Sequence, residues 1–208
     1  MLILGLTGSI GMGKSAAAAI LREHGIPVCD ADAEVHQLYK TTAVAPIEDA
    51  FPGTTTSGGV DRGLLSRSLL ADPAGFKRLE QIIHPLVRAA ERAFLHAAEA
   101  ENKSIAVLEI PLLFETGGDA IVDATAVVSA PPDVQRARVL ARSGMTEEKF
   151  LHILSRQWPD DRKRAAASFI VDTGGTMQAT AGQIDVMLAK LHSGAIPAQA
   201  FDRYWSKP

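Results

Sequence analysis

The sequence predicts an α/β protein, a parallel sheet flanked by helices, and two observations carry that expectation. Short apolar runs rich in β-branched residues recur along the chain, each bounded by turn signals, as strands buried on both faces require. Between them lie stretches with helical spacing, beginning with the Ala-rich and breaker-free Ser15 to His24. With 208 residues, 47% of them hydrophobic and 22% charged, the chain can bury a substantial core and is not a disordered tail.

Leu2 to Leu6 is the first strand, closed by a Gly-rich loop and followed by the helix Ser15 to His24, which Gly25 ends. Ile26 to Cys29 is the second strand, and Asp30-Ala31-Asp32 marks its turn into a helix from Ala33 to Tyr39. Thr41 to Gly63, with Thr54-Thr55-Thr56-Ser57-Gly58-Gly59 inside it, reads as a loop-rich insertion. Arg62 to Glu101 is helical in pattern, with breaks expected at Asp72-Pro73 and His84-Pro85. Ser104 to Ile110 and Ala124 to Ala130 resume the sheet. Helices follow over Pro132 to Arg142 and Thr146 to Gln157, then a last strand over Ser168 to Asp172 and a helix from about Met177 to Leu191. Ser193 to Pro208 carries Pro197, Pro208 and scattered aromatics without a period and reads as a tail.

Charge and composition narrow the function. The net charge of −3 lacks the basic balance of a nucleic-acid coat, so any polyanion site must be local. Ile105 to Phe114 is among the longest apolar stretches, yet Glu109 and Pro111 interrupt it and it falls short of the ~20 residues of a spanning helix, so no membrane partner is expected. Met1 to Gly5 lacks a basic segment and a long apolar one, so no signal peptide is expected. The lone Cys29 is expected to be a small buried hydrophobe in a reducing cytoplasm.

Gly8-Ser9-Ile10-Gly11-Met12-Gly13-Lys14-Ser15 fits G-x-x-x-x-G-K-S between a strand and a helix. In such a loop successive N–H groups curl around phosphates, Lys14 reaches the outer ones, and the Ser15 hydroxyl can ligate Mg²⁺. Gly11-x-Gly13-x-x-Ala16 also satisfies the looser dinucleotide fingerprint, with Asp30 and Asp32 about 20 residues on. Lys14 and Ser15 are superfluous in that fingerprint, and the loop starting at Gly8 suits a phosphate chain held end-on, so the phosphate loop is preferred. As Lys14 sits over ligand, its removal is expected to spare the fold.

Asp30 and Asp32 lie where open parallel sheets bind ligands, and one is expected to cap a helix while the other works as a proton acceptor or metal partner. Glu109 has two readings, a metal-supporting carboxylate or a solvated strand end. Arg136 to Arg164 holds eight basic residues against four acidic ones, which suits a lid over transferring phosphates. Arg138 and Arg142 share a helical face there, whereas Arg162 to Arg164 reads as solvated. His84 before Pro85 reads as a helix-break residue, with no Cys or second His spaced to form a metal site. A GTPase switch would need an Asn-Lys-x-Asp segment, and the only Asn, Asn102, precedes Lys103-Ser104-Ile105.

Taken together, the motifs resemble the dephospho-coenzyme A kinase family over nearly the whole chain. The resemblance rests on Leu6-Thr7-Gly8 running through Ser15, Asp30-Ala31-Asp32 with His36, Leu79-x-x-Ile82-x-His84-Pro85-x-Val87, Ile110 to Glu115, Arg138-x-x-x-Arg142 and Gln157. It implies a P-loop kinase fold with a five-stranded parallel core formed by residues 1–40, 102–137 and 167–192. It also implies a helical acceptor-binding insertion at 41–101 and a lid at 138–166, leaving 193–208 as the tail. ATP as co-substrate, Mg²⁺ and the small-molecule acceptor dephospho-coenzyme A are implied with it. By position, Asp32, Lys14 and Arg142 match catalytic residues, and Gly8, Gly11, Met12, Gly13, Lys14, Ser15, Ala16, Arg138 and Arg142 match nucleotide-binding ones. Asp32, His84, Pro111 and Leu112 match the acceptor side, and Ser15, with Glu109, the metal. Ser9 stands where the family often has Gly, Ala16 where Thr is common, Glu109 where Asp is usual, and Ala167-Ser168 where Ala-Asp precedes the last strand. A nucleoside monophosphate kinase shares the core, but the insertion with His84-Pro85 argues against it.

Overall fold

The structure is a computed structural model that describes residues 1–72 and 74–207; Pro73, at an expected helix break, and Pro208, in the expected tail, lie outside the described residues. The chain divides into two compact units, one formed by Met1–Cys29 with Leu95–Pro208 and the other by Asp30–Phe94.

The first unit is built on a five-stranded sheet of order β2-β5-β1-β6-β7. These strands are β1 (Leu2–Thr7), β2 (Val28–Asp30, whose last residue opens the second unit), β5 (Ile105–Glu109), β6 (Ala124–Ser129) and β7 (Phe169–Asp172). β1 pairs in parallel with β5, in the register Leu2 with Ile105, and with β6, in the register Leu4 with Ala124; β6 pairs in parallel with β7. Central strands covered on both faces are largely apolar, and every residue of β1, β5 and β6 is buried, the polar Thr7, Glu109, Thr125 and Ser129 included. On one face Leu2, Leu4 and Leu6 pack with Ala17, Ile20 and Leu21 of α1 (Lys14–Glu23) and with Ile184, Leu188 and Leu191 of α9 (Met177–His192). The other face is so close at Gly5 that a Cβ there would lie 2.9 Å from Leu113 Cδ2.

The second unit holds α2 (Ala31–Leu38), α3 (Val44–Ala50), the hairpin strands β3 (Thr55–Thr56) and β4 (Gly59–Val60), α4 (Arg62–Ala71) and most of α5 (Gly75–Ala100). The expected loop-rich insertion therefore contains a short helix and a hairpin. Glu48 organises it, accepting from Gly53 N at 2.8 Å and from Thr55 Oγ1 at 2.6 Å. Pro85 does not break its helix: α5 runs through it. A proline inside a helix costs about 3 kcal/mol, and burial of Ile83, with Leu79, Ile82, Leu86 and Val87 packed against Ile47 and Leu65, offsets that cost.

Two further differences lie in the first unit. Between α6 (Pro132–Leu140), α7 (Glu147–Leu154) and β7 there is an eighth helix, α8 (Asp160–Ala166), in a stretch to which the sequence pattern assigned no element. The tail is not loose: Phe201–Trp205 forms a π-helix, and Trp205 is 1% exposed with its indole N–H donated to Ile121 O at 2.9 Å. Asp123 fastens the approach to it, its Oδ1 accepting from Gln199 N and Ala200 N, both at 2.7 Å. Among the described residues no helix is long and apolar enough to cross a membrane.

Candidate active site

The phosphate loop joins β1 to α1, and its shape follows from its glycines. Gly11 and Gly13 have φ of 79° and 84°, the left-handed region that glycine enters without strain. A side chain at Gly8 would run into Val128, and one at Gly11 into Val139 and Gln135, so the loop lies flat against β6 and α6. Gly13 caps α1 with no side-chain acceptor, which leaves the first-turn N–H groups and the positive end of the helix dipole open to an anion.

Four tethers hold that loop. Ile10 N donates to Gln157 Oε1 at 3.0 Å and Ile10 O accepts from Gln135 Nε2 at 2.7 Å. Met12 O accepts from Thr173 Oγ1 at 2.7 Å, and Met12 Sδ accepts from Ala130 N at 3.1 Å. Gln135 and Thr173 were not singled out in the sequence, because nothing local to them points to a loop more than 100 residues away.

Lys14 Nζ lies 2.6 Å from Glu109 Oε1, and Glu109 is 2% exposed. The reading of Glu109 as a solvated strand end is therefore corrected: the carboxylate is buried at the end of β5, and desolvating it requires the partner it has. Arg22 Nη2 approaches its other oxygen at 3.9 Å. Lys14 thus has a buried partner within the protein, a contact that the expectation of a fold-neutral Lys14 removal did not take into account. Ser15 is exposed at the start of α1 and Ala16 is half-buried behind it.

After β5, Thr7 Oγ1 donates to Pro111 O at 3.1 Å, fixing the start of the Pro111-Leu112 segment. Leu112 is 36% exposed, whereas Leu113 and Phe114 are buried in the unit's interior. Phe114 stacks on Trp158 at 5.7 Å, and the guanidinium of Arg162 covers the same indole at 3.4 Å. Lys163 is fully buried and forms an ion pair with Glu115, its Nζ 2.9 Å from Oε1, and that oxygen accepts a hydrogen bond from Trp158 N at 2.7 Å. Arg164 Nη1 donates to Ser129 Oγ at 3.1 Å. The solvated reading of Arg162 to Arg164 holds at the exposed Arg162 and Arg164 and is corrected at Lys163, which is buried.

Arg138 and Arg142, both expected in a lid, differ in their surroundings. Helix α6 ends at Leu140, so Arg142 lies beyond it and is exposed, its backbone N donating to Val139 O at 3.1 Å. Arg138 is half-buried and donates from Nη2 to Thr173 O at 2.7 Å and from Nη1 to Thr173 Oγ1 at 3.2 Å. The expected shared helical face therefore does not exist.

In the second unit Asp30 is the cap: its Oδ1 accepts from Asp32 N at 2.9 Å and Ala33 N at 3.2 Å at the start of α2. Asp32 is exposed, and its carboxylate accepts no hydrogen bond among the described residues. His36 donates from Nδ1 to Asp32 O at 2.7 Å and accepts at Nε2 from Arg62 at 2.7 Å, which sets its neutral tautomer. His84 is exposed on α5.

Known proteins resemble this chain over most of its length. A family model described as dephospho-CoA kinase matches residues 2–179. A dephospho-CoA kinase of Agrobacterium fabrum is 53% identical over 191 residues, covering 92% of this chain and 98% of its own. The crystal structure of TT1252 from Thermus thermophilus superposes with a TM-score of 0.80 at 36% identity, covering 91% of this chain and 97% of that one. A dephospho-CoA kinase structure from Campylobacter jejuni, at 23% identity and a TM-score of 0.68, covers 92% of this chain and 98% of that one and shares the fold. With a family model spanning both units and a relative at that identity over nearly its full length, the chain belongs to the dephospho-CoA kinase family.

Proposed function

We infer that this protein transfers the γ-phosphoryl group of ATP to the 3′-hydroxyl of dephospho-coenzyme A, giving coenzyme A and ADP, the last step of coenzyme A biosynthesis. The observation that carries the reading is the family match over residues 2–179, which takes in the phosphate loop and the helical unit together.

Phosphoryl transfer passes through a loose transition state, so positioning and charge neutralisation do most of the work. Gly8, Gly11, Met12, Gly13, Lys14, Ser15 and Ala16 bind the nucleotide, with N–H groups at the start of α1 directed at its phosphates and Lys14 shifting from Glu109 toward the outer oxygens. Asp32 takes the proton of the acceptor hydroxyl; its carboxylate, exposed and without a hydrogen-bond partner among the described residues, is chemically ready for that role. Arg142, exposed and free of the helix, neutralises charge on the transferring group. His84, Pro111 and Leu112 serve the acceptor side. Residues 41–101 are the acceptor-binding insertion, 138–166 the lid, and 1–40, 102–137 and 167–192 the core.

Mg²⁺ prefers oxygen donors and keeps several waters and phosphate oxygens of its own, so few protein ligands suffice. The exposed Ser15 hydroxyl and the carboxylate of Glu109 are donors of that kind and would hold it. Held there, it would supply positive charge to offset the negative charge of the phosphates. The reading needs neither nucleic acid nor a membrane, and the single cysteine Cys29 suits a cytoplasmic setting.

Acceptor dependence tests the reading. A lid enzyme completes its site only with both substrates present, so ADP release should require dephospho-coenzyme A. Rapid ATP hydrolysis without acceptor would contradict it.

A further inference from the structure

Thr173 follows β7 directly and is 5% exposed, yet its hydroxyl is the meeting point of three segments distant in sequence. Its single proton goes to Met12 O, 2.7 Å away in the phosphate loop; Ser129 O, at 3.3 Å, is the more distant acceptor and already receives Thr173 N at 2.8 Å. The hydroxyl oxygen accepts in turn from Arg138 Nη1 at 3.2 Å, while Arg138 Nη2 clamps the carbonyl of the same residue at 2.7 Å. A Cβ at Gly13 would lie 2.9 Å from Thr173 Oγ1, so the side chain also packs against the residue that opens α1.

We propose that Arg138 and Thr173 form a positioning relay for the phosphate loop, in which Arg138 acts through Thr173 and not as a phosphate contact. This rests on reading the loop as the ATP site and changes the place of Arg138 within it. The polarity is consistent at each link: guanidinium donates to hydroxyl, and hydroxyl donates to the loop carbonyl. Hydrogen-bonding a guanidinium to the hydroxyl oxygen polarises its O–H toward Met12, so the two bonds strengthen each other. Met12 O belongs to the peptide that supplies the N–H of Gly13, and the next N–H is that of Lys14. N–H donors bind phosphate oxygens well only at about 2.7–3.2 Å and with near-linear geometry. A shift of that peptide therefore weakens any nucleotide that places a phosphate in the loop. ADP suffices to detect it, because the effect needs no γ-phosphate.

Thr173→Val keeps the side-chain shape and removes the hydroxyl; Thr173→Ser keeps the hydroxyl and removes a methyl. Calorimetry with Mg·ADP and steady-state kinetics on the full chain read the result. Thr173→Val should weaken ADP binding and raise KM for ATP roughly tenfold, with KM for dephospho-coenzyme A changed less than about twofold. Thr173→Ser should recover most of the loss. Arg138→Met should move ADP affinity in the same direction, and the double variant Arg138→Met with Thr173→Val should be no worse than the poorer single one, because one chain of bonds is broken in both. Unchanged ADP affinity in Thr173→Val overturns the relay, as do losses that multiply in the double variant. Where Thr173→Val does not fold, Arg138→Met decides. Weakened ADP binding supports the relay, and intact ADP binding with loss confined to ATP turnover identifies a direct γ-phosphate contact instead. A wild-type protein that binds Mg·ADP but leaves dephospho-coenzyme A untouched would fail the acceptor reading alone, and ADP affinities would still test the relay.

Discussion

Asp30 and Asp32 are two residues apart, and their substitutions should separate stability from chemistry. Asp30 Oδ1 accepts from Asp32 N and Ala33 N at 2.9 and 3.2 Å, so Asp30→Ala leaves two N–H groups of the first turn of α2 without that partner. Loss of such a cap costs about 1 kcal/mol, within a range of roughly 0.5–2. In a chain of this length that corresponds to a fall in Tm of about 2–4 °C per kcal/mol. Asp32 is exposed and its carboxylate accepts nothing among the described residues, so Asp32→Asn should leave stability within about 0.5 kcal/mol of wild type. As the general base it should lose roughly 10²- to 10⁴-fold in kcat, about 2.7–5.4 kcal/mol of barrier. Binding of either substrate should change little. Thermal melts and initial rates at saturating Mg·ATP and dephospho-coenzyme A measure both effects. Near-normal kcat in Asp32→Asn would refute the assignment. A Tm loss in Asp32→Asn equal to that of Asp30→Ala would refute the division of labour.

Two further outcomes concern buried charge. Lys163→Met strands Glu115, whose Oε1 loses an ammonium 2.9 Å away, and should destabilise by about 3 kcal/mol, the lower end of the range for breaking a buried pair, because Trp158 N still donates to that oxygen. Adding Glu115→Gln should recover part of it in urea unfolding; a neutral single variant would show that the pair does not hold α8 in place. Glu91, 2% exposed, has its carboxyl raised above the ordinary 4.5 by burial, against the opposing pull of Arg88 at 3.0 Å. The folded state then holds that proton more tightly than the unfolded one, so stability should fall as pH rises above about 4.5 through the raised value. Glu91→Gln should remove that component, and a wild-type minus variant difference that grows with pH would contradict it.

What was legible in the sequence was what lies close together in it. The phosphate loop declares itself because strand, glycines, Lys14 and helix are contiguous, and Asp30 because a cap acts on the next three residues. The alternation of apolar runs likewise exposed all five strands of the sheet, since β1, β5 and β6 are apolar at nearly every position. Lys163 looked solvated because its partner Glu115 is far away in sequence and its neighbours are charged. Thr173 carries no local mark, since its significance comes from Met12, Ser129 and Arg138 arriving around it. Pro85 looked like a break because a proline's local cost is visible and the packing of Ile83 and its neighbours is not. In the tail, Phe201 and Trp205 are spaced by four, one helical turn, and that spacing was the available signal for the turn that buries both.

The most direct test of the account is the product itself. Wild-type protein incubated with Mg·ATP and dephospho-coenzyme A should add one phosphoryl group to the acceptor, seen by mass spectrometry, and ³¹P NMR should place it as a monoester on the ribose 3′-hydroxyl in step with ADP formation. An unmodified acceptor in the presence of bound Mg·ATP, or a phosphoryl group on any other oxygen, would contradict the account.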